Sequence, residues 1–231
     1  VPTHDHHPGR PRRDDASGSG DRGGSGAVRH HVPYYSQWES PELVGAIIER
    51  QINAADDPGW RRSGAQTPQE YEFWSWRACG MACLRMALEH WRGAAPVMMD
   101  LARDFLAAGA YVQREDGGLD GLIYAPFADR TRARFGLYAQ ARPDLPLRDI
   151  RTELLAGRLV MLSVHPSIRD YRTDPPRRGG HLVLAVGFSP QAVTFHNPSG
   201  LYRDSQEYAT VPWDRLEHFY AGRGVVLGPH A

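Results

Sequence analysis

Cys79 stands in the run Trp76-Arg77-Ala78-Cys79-Gly80-Met81-Ala82-Cys83, where an aromatic-rich loop gives way to a predicted helix. The first N–H groups of a helix have no internal partner and carry partial positive charge, which favours thiolate over thiol. His181 follows Gly179-Gly180 and opens the apolar run Leu182-Val183-Leu184-Ala185-Val186-Gly187-Phe188. A histidine at the mouth of a buried strand is rigidly held yet reachable, as a general base must be. Asn197 closes the next predicted strand, and its side-chain oxygen could accept the imidazole N–H and hold the ring in one tautomer. Thiol, base and orienting amide, in that chain order, are the parts of nucleophilic acyl transfer. Gln37 adds a neutral amide donor for an oxyanion, alongside the backbone N–H of Cys79.

Other residues compete for these roles. Cys83 lies one turn into the apolar stripe of the Cys79 helix and reads as packing. Two cysteines on one face of one helix are poorly placed for a disulfide, so no stapled scaffold is expected. His165 ends a predicted strand before Pro166. His196 adjoins Asn197 but belongs on the opposite face of its strand. Asp170, Asp174, Arg177 and Arg178 form a polar loop ahead of His181, read as solvated or as substrate contacts. No His, Cys, Asp or Glu set has zinc-ligand spacing, and neither a metal nor a cofactor is expected. His4, His6, His7, His30 and His31 offer at most a weak metal site in a polar tail.

The positioning elements follow from periodicity. Residues 1–30 are rich in Gly, Pro, Ser, Asp, Arg and His, and read as a disordered tail. A single domain is expected over 31–231. Ser40 as N-cap, Pro41 at the first turn and an apolar stripe through Leu43, Val44, Ile47 and Ile48 predict a helix near 41–52. Thr67-Pro68-Gln69-Glu70 has the form of a capped helix start. Helices follow at 78–91, ended by Gly93, at 97–108, and at 119–135 with a bend near Pro126. A strand at 137–142 and a helix at 147–156 precede strands at 159–164, 181–188, 192–196 and 225–227. Helices first and strands later make an α+β domain, with a helical N-terminal half packed on a C-terminal antiparallel sheet. A turn near Ser189-Pro190-Gln191 would bring Asn197 beside His181.

The 231 residues carry 27 basic and 27 acidic side chains, and every basic one is Arg. With no net charge there is no field to draw in nucleic acid or an anionic membrane. No apolar run is long enough to span a bilayer, and the N-terminus lacks the apolar core of a signal peptide. A cytoplasmic location is favoured, with secretion left open if Val1 is a processed N-terminus. Nothing in the sequence speaks to oligomeric state.

Four stretches together resemble the family-39 cysteine peptidases, papain-like enzymes first known for removing leaders from bacteriocin precursors. They are Val32-Pro33-Tyr34-Tyr35-Ser36-Gln37, Ala78-Cys79-Gly80-Met81-Ala82, the Gly179–Phe188 block and His196-Asn197-Pro198. The similarity runs in order from residue 31 to 228 and is most specific at the Cys and His blocks. It implies a papain-like fold acting on a peptide or amide, with Cys79 as nucleophile and His181 as base. Asn197 would be the orienting group and Gln37 the oxyanion residue. Met81 stands where the family often has Pro. Asn197 stands where it often has Asp, so an imidazolium would gain less charge stabilisation. The long Gln37-to-Cys79 separation implies an inserted helix and loop at 39–75. No Walker A pattern accompanies these stretches, so leader removal coupled to export is not implied. The same acyl-enzyme could instead serve an acyltransferase or amide synthase, and a silent papain-like peptide-binding module is the non-enzymatic alternative.

Overall fold

The structure, a computed structural model, describes residues 26–230. His4, His6, His7 and the tail up to residue 25 lie outside the described residues. In chain order the elements begin with strand β1 (Val28–Arg29), helices α1 (Val44–Ile48), α2 (Pro68–Ser75), α3 (Cys79–Arg92), α4 (Met98–Ala107) and α5 (Tyr124–Phe135). Strand β2 (Tyr138–Arg142), helix α6 (Leu147–Leu155) and strands β3 (Leu159–Val164), β4 (His181–Phe188) and β5 (Ala192–His196) follow. The chain closes with α7 (Arg203–Gln206), β6 (Ala209–Pro212), α8 (Trp213–Phe219) and β7 (Tyr220–Gly228).

Seven strands form one sheet in the order β2-β7-β3-β4-β5-β6, with β1 paired to the far end of β4. Every pairing is antiparallel. Both faces of the sheet are covered, which is why β3 and β4 read as unbroken apolar runs rather than alternating ones. Leu182, Leu184, Val186 and Met161 pack with α2 to α5, while Val183, Ala185, Val160 and Leu162 pack with α6 and α8. The domain is thus α+β, with the helical N-terminal half on one face and two later helices on the other.

Several expectations shift. Val28 and Arg29 belong to the sheet, so the folded part starts inside the expected tail. Ser40 makes no side-chain cap. Its hydroxyl donates to Asp57, and the helix after Pro41 starts as a 3-10 turn and stops at Ile48. The 119–135 helix starts only at Tyr124, so Pro126 falls in its first turn, where a missing N–H costs nothing, and the helix runs unbroken to Phe135. The last strand runs from Tyr220, and β6, α7 and α8 had no clear sequence signal. The Thr67 cap and the Gly93 stop are as expected: Thr67 Oγ1 accepts from Glu70 N–H at 3.1 Å, and Gly93 is left-handed.

Within 39–75, short helical turns surround one fully buried carboxylate. Asp57 accepts from Ser40 Oγ at 2.6 Å, Ser40 N–H at 3.2 Å, Gly59 N–H at 2.7 Å and Tyr71 O–H at 2.5 Å. The Tyr71 hydroxyl in turn accepts from Glu39 N–H at 2.7 Å, and Glu39 pairs with Arg85 of α3 at 3.3 Å. The segment is therefore fastened to the helix that starts at Cys79. Removing the acceptor would strand four donors, so Asp57→Ala is expected to cost about 3 kcal/mol of unfolding free energy in urea, and Tyr71→Phe about 1 kcal/mol. An Asp57→Ala loss below about 0.5 kcal/mol would mean that apolar contacts alone hold this segment.

Candidate active site

Cys79 is the first residue of α3, and the start of α3 lies against the opening of β4. The β4–β5 ladder stops at the Leu184–His196 pair, so the backbone of Leu182 lies beyond it. Two sulfurs of α3 meet that backbone instead. The Cys83 thiol donates to the Leu182 carbonyl at 3.8 Å, and the Leu182 amide acts to lower the Cys79 thiol pKa. Gly80 permits the approach: a Cβ there would sit 2.7 Å from Leu122 Cδ2 and 3.3 Å from Leu182 Cδ1. Cys83 is fully buried and serves packing, as expected, with this one polar contact added.

His181 is brought to the same place from the other side. Gly179 and Gly180 both have left-handed backbone, φ +77° and +101°, a turn that L side chains rarely adopt. His181 and Cys79 line one cavity of about 340 Å³ together with Trp76, Tyr111, Leu122 and Ser163. The hairpin between β4 and β5 returns the chain so that Asn197 Oδ1 lies 2.8 Å from His181 Nε2. Ser199 N–H donates to the same oxygen at 3.1 Å, which identifies it as the carbonyl end of the Asn197 amide. Nε2 must then carry the ring proton, leaving Nδ1 bare in the neutral ring.

The rival histidines do not line this cavity. His196 is fully buried, with Nε2 donating to the Val32 carbonyl at 2.9 Å and Nδ1 accepting Tyr208 N–H at 3.0 Å. His165 Nδ1 accepts from Ser167 N–H at 3.2 Å, capping the short turn after β3. Asp174 pairs with Arg215 at 2.8 Å. His30 Nε2 meets the Leu154 carbonyl at 2.9 Å, and no cluster of metal-ligating side chains occurs among the described residues.

Gln37 is buried between two parts of the site without lining the cavity. Its backbone N–H donates to Pro198 O at 2.9 Å and its side-chain amide to Ser75 O at 2.8 Å, while its own Oε1 has no protein partner. Trp38 next to it meets Trp76 edge-on at 5.1 Å, tying this segment to the Cys79 loop. Sequence reasoning missed two further groups. Ser199 Oγ lies 3.0 Å from His181 Nε2, and Arg169 donates to Ser199 O at 2.6 Å and to Ser199 Oγ at 2.8 Å. Ser199 could have been found, because Asn-Pro-Ser is the pattern of an Asx-turn. Arg169 carries no local signal.

Burial dominates the electrostatics. It pushes the Cys79 thiol above its ordinary value, against the amides of Leu182, Gly80 and Cys79 and the charge of Arg169, which pull it down. The expected lowering by the helix start is therefore present but outweighed. Cys79 keeps partial solvent access, and its rise is smaller than that of the enclosed Cys83. Burial, then Arg169, pushes His181 down to about 3 despite the Asn197 hydrogen bond. The free site holds a neutral thiol and a neutral imidazole at pH 7.

The Peptidase_C39 like family model matches residues 30–226. No curated protein matches the sequence. Among solved structures, one described as a C39-like peptidase from Bacillus anthracis is similar at 17% identity and a TM-score of 0.49, covering 65% of this chain and 88% of that one. The peptidase domain of Streptococcus ComA, a bi-functional ABC transporter of a quorum-sensing pathway, is similar at 12% identity and a TM-score of 0.47, covering 67% and 93%.

The depressed His181 pKa sets a sign for stability. Below about 6.5 the unfolded chain binds a proton that the folded ring refuses, so stability falls as pH drops from there toward 3. His181→Asn is expected to remove about 1 kcal/mol per pH unit from that slope, read as urea unfolding between about pH 6 and 4. Equal slopes in the two proteins would mean that the buried ring takes up its proton in the folded state.

Proposed function

The chain belongs to the Peptidase_C39 like family, and on that footing we propose that it is a thiol-dependent peptide or amide hydrolase working through an acyl-enzyme on Cys79. The observation that carries this reading is the shared cavity of Cys79 and His181, with the ring held through Nε2 by Asn197. Nδ1 takes the thiol proton as sulfur bonds to the substrate carbonyl carbon. Because the resting pair is neutral, proton transfer and attack proceed together. The carbonyl oxygen gains the electron pair and accepts from the Cys79 N–H and from the Gln37 amide hydrogen not given to Ser75. As the oxyanion collapses, the C–N bond breaks and the amine leaves with the proton from Nδ1. The same nitrogen then deprotonates a water, which cleaves the thioester, releases the acid and restores the thiol.

The cavity walls suit a chain threaded between the two halves of the domain. Trp76 and Tyr111 stand on the helical side and Ser163 and Gly180 on the sheet side. The segment at 39–75 sits behind Trp76 through Ser75 and Trp38, so it acts on the cleft by holding the Cys79 loop.

A mixed peptide library analysed by mass spectrometry tests the reading. Cys79→Ala is expected to abolish cleavage, Asn197→Ala to lower kcat about tenfold to a hundredfold, and Gln37→Ala about a hundredfold. Cleavage that survives Cys79→Ala would sink the mechanism. Products carrying an added amine would mark a transferase, and a Cys79 that resists iodoacetamide in the native protein would favour a binding module. A Gln37→Ala effect under about twofold would place the oxyanion donor elsewhere.

A further inference from the structure

Arg169 lies in the short turn Pro166–Asp170 between β3 and β4 and is half-buried beside the site. No carboxylate pairs with it among the described residues, burial lowers its pKa, and a Cys79 thiolate would raise it. Its hydrogen bonds all go to one residue: Nε to Ser199 O at 2.6 Å and to Ser199 Oγ at 3.2 Å, and a terminal nitrogen to Ser199 Oγ at 2.8 Å. A guanidinium only donates, so the Ser199 hydroxyl must accept from it. That leaves the hydroxyl one proton to give, and Asn197 Oδ1 stands 3.3 Å away to receive it.

The direction of these bonds bears on His181. Its Nε2 lies 2.8 Å from Asn197 Oδ1 and 3.0 Å from Ser199 Oγ. Were Nε2 bare, the shorter contact would set two acceptors against each other. With Arg169 filling the acceptor side of Ser199, the Nε2 proton is drawn to Asn197. Without Arg169, the hydroxyl recovers an acceptor lone pair and the Nε2 proton divides between Ser199 and Asn197. We propose that Arg169 is a positioning residue for His181: through Ser199 it directs the Nε2 proton onto Asn197 and leaves Nδ1 as the basic nitrogen. The proposal rests on the reading of Cys79 and His181 as nucleophile and base.

The charge of Arg169 acts in the same place. It favours the Cys79 thiolate and disfavours a protonated His181, so both groups are tuned by one half-buried cation. His165 is the other titratable group acting on His181, and it in turn feels Arg177 and Arg169. On the helical side Tyr111 faces the two cysteines and stays protonated.

The test uses the full chain and the rate of Cys79 alkylation by iodoacetamide as a function of pH, followed by mass spectrometry. Arg169→Gln is expected to slow alkylation about tenfold and to move its midpoint up by about one pH unit. Ser199→Ala is expected to slow it without that shift, and the double variant to be no slower than Arg169→Gln alone. A midpoint unmoved in folded Arg169→Gln, or rate losses that multiply in the double variant, overturns the proposal. The wild-type protein gives a second reading that needs no variant to fold. Its His181 ring, observed by 15N NMR at neutral pH, should carry the proton on Nε2, and a proton on Nδ1 overturns the proposal. If wild-type Cys79 is not alkylated at all, the acyl-enzyme reading fails, while the ring spectrum still decides the role of Arg169.

Discussion

The site depends on how the start of α3 is held against the start of β4. The backbone of Leu182 does much of this: its carbonyl accepts from the Cys83 thiol, and its amide favours the Cys79 thiolate. These contacts are individually weak, but they occupy backbone groups that β5 leaves unpaired when its ladder ends at Leu184. An open strand end thus becomes the docking point of a helix end, and His181 is one residue away. Gly80 lets the two surfaces close, since any side chain there would press on Leu122 and Leu182.

Burial then decides the chemistry of the groups brought together. Desolvation raises the thiol and lowers the imidazole, so neither is charged in the resting site. The helix start and Arg169 oppose the rise of the thiol without cancelling it. A neutral pair is cheaper to enclose than an ion pair, which fits a site where His181 is hydrogen-bonded to the uncharged amide of Asn197. Around that amide the protons run in one direction, from Arg169 to Ser199, and from Ser199 and His181 to Asn197.

The segment at 39–75 shows how a long excursion can be made rigid with little apolar mass. Its turns are short and their caps mostly lack side-chain bonds, yet Asp57 gathers Ser40, Gly59 and Tyr71 around one buried carboxylate. Glu39 carries the connection to α3 through Arg85. Ser40 illustrates the limit of local reading: its sequence position suits an N-cap, but a buried carboxylate is a stronger acceptor for its hydroxyl than an exposed helix start is a donor set.

The sequence alone determined the order of the elements around the site. Cys79 at a helix start, His181 after two glycines and Asn197 one hairpin later follow from local patterns: apolar periodicity, left-handed glycines and turn composition. These are short-range constraints, and they survive folding because nothing in the tertiary structure competes with them. Elements with mixed patterns did not survive in the same way. The 41–52 helix stopped at Ile48, the 119–135 helix began only at Tyr124, and β6 and α8 packed on β5 while α7 packed on β6. Only the tertiary structure decided which histidine shares a cavity with Cys79: His181 lines it and His165 and His196 do not. Only it revealed Arg169 and Ser199, and the balance between helix charge and burial at Cys79. Long-range hydrogen bonds and desolvation depend on what surrounds a group in space, and a linear spacing carries no record of that.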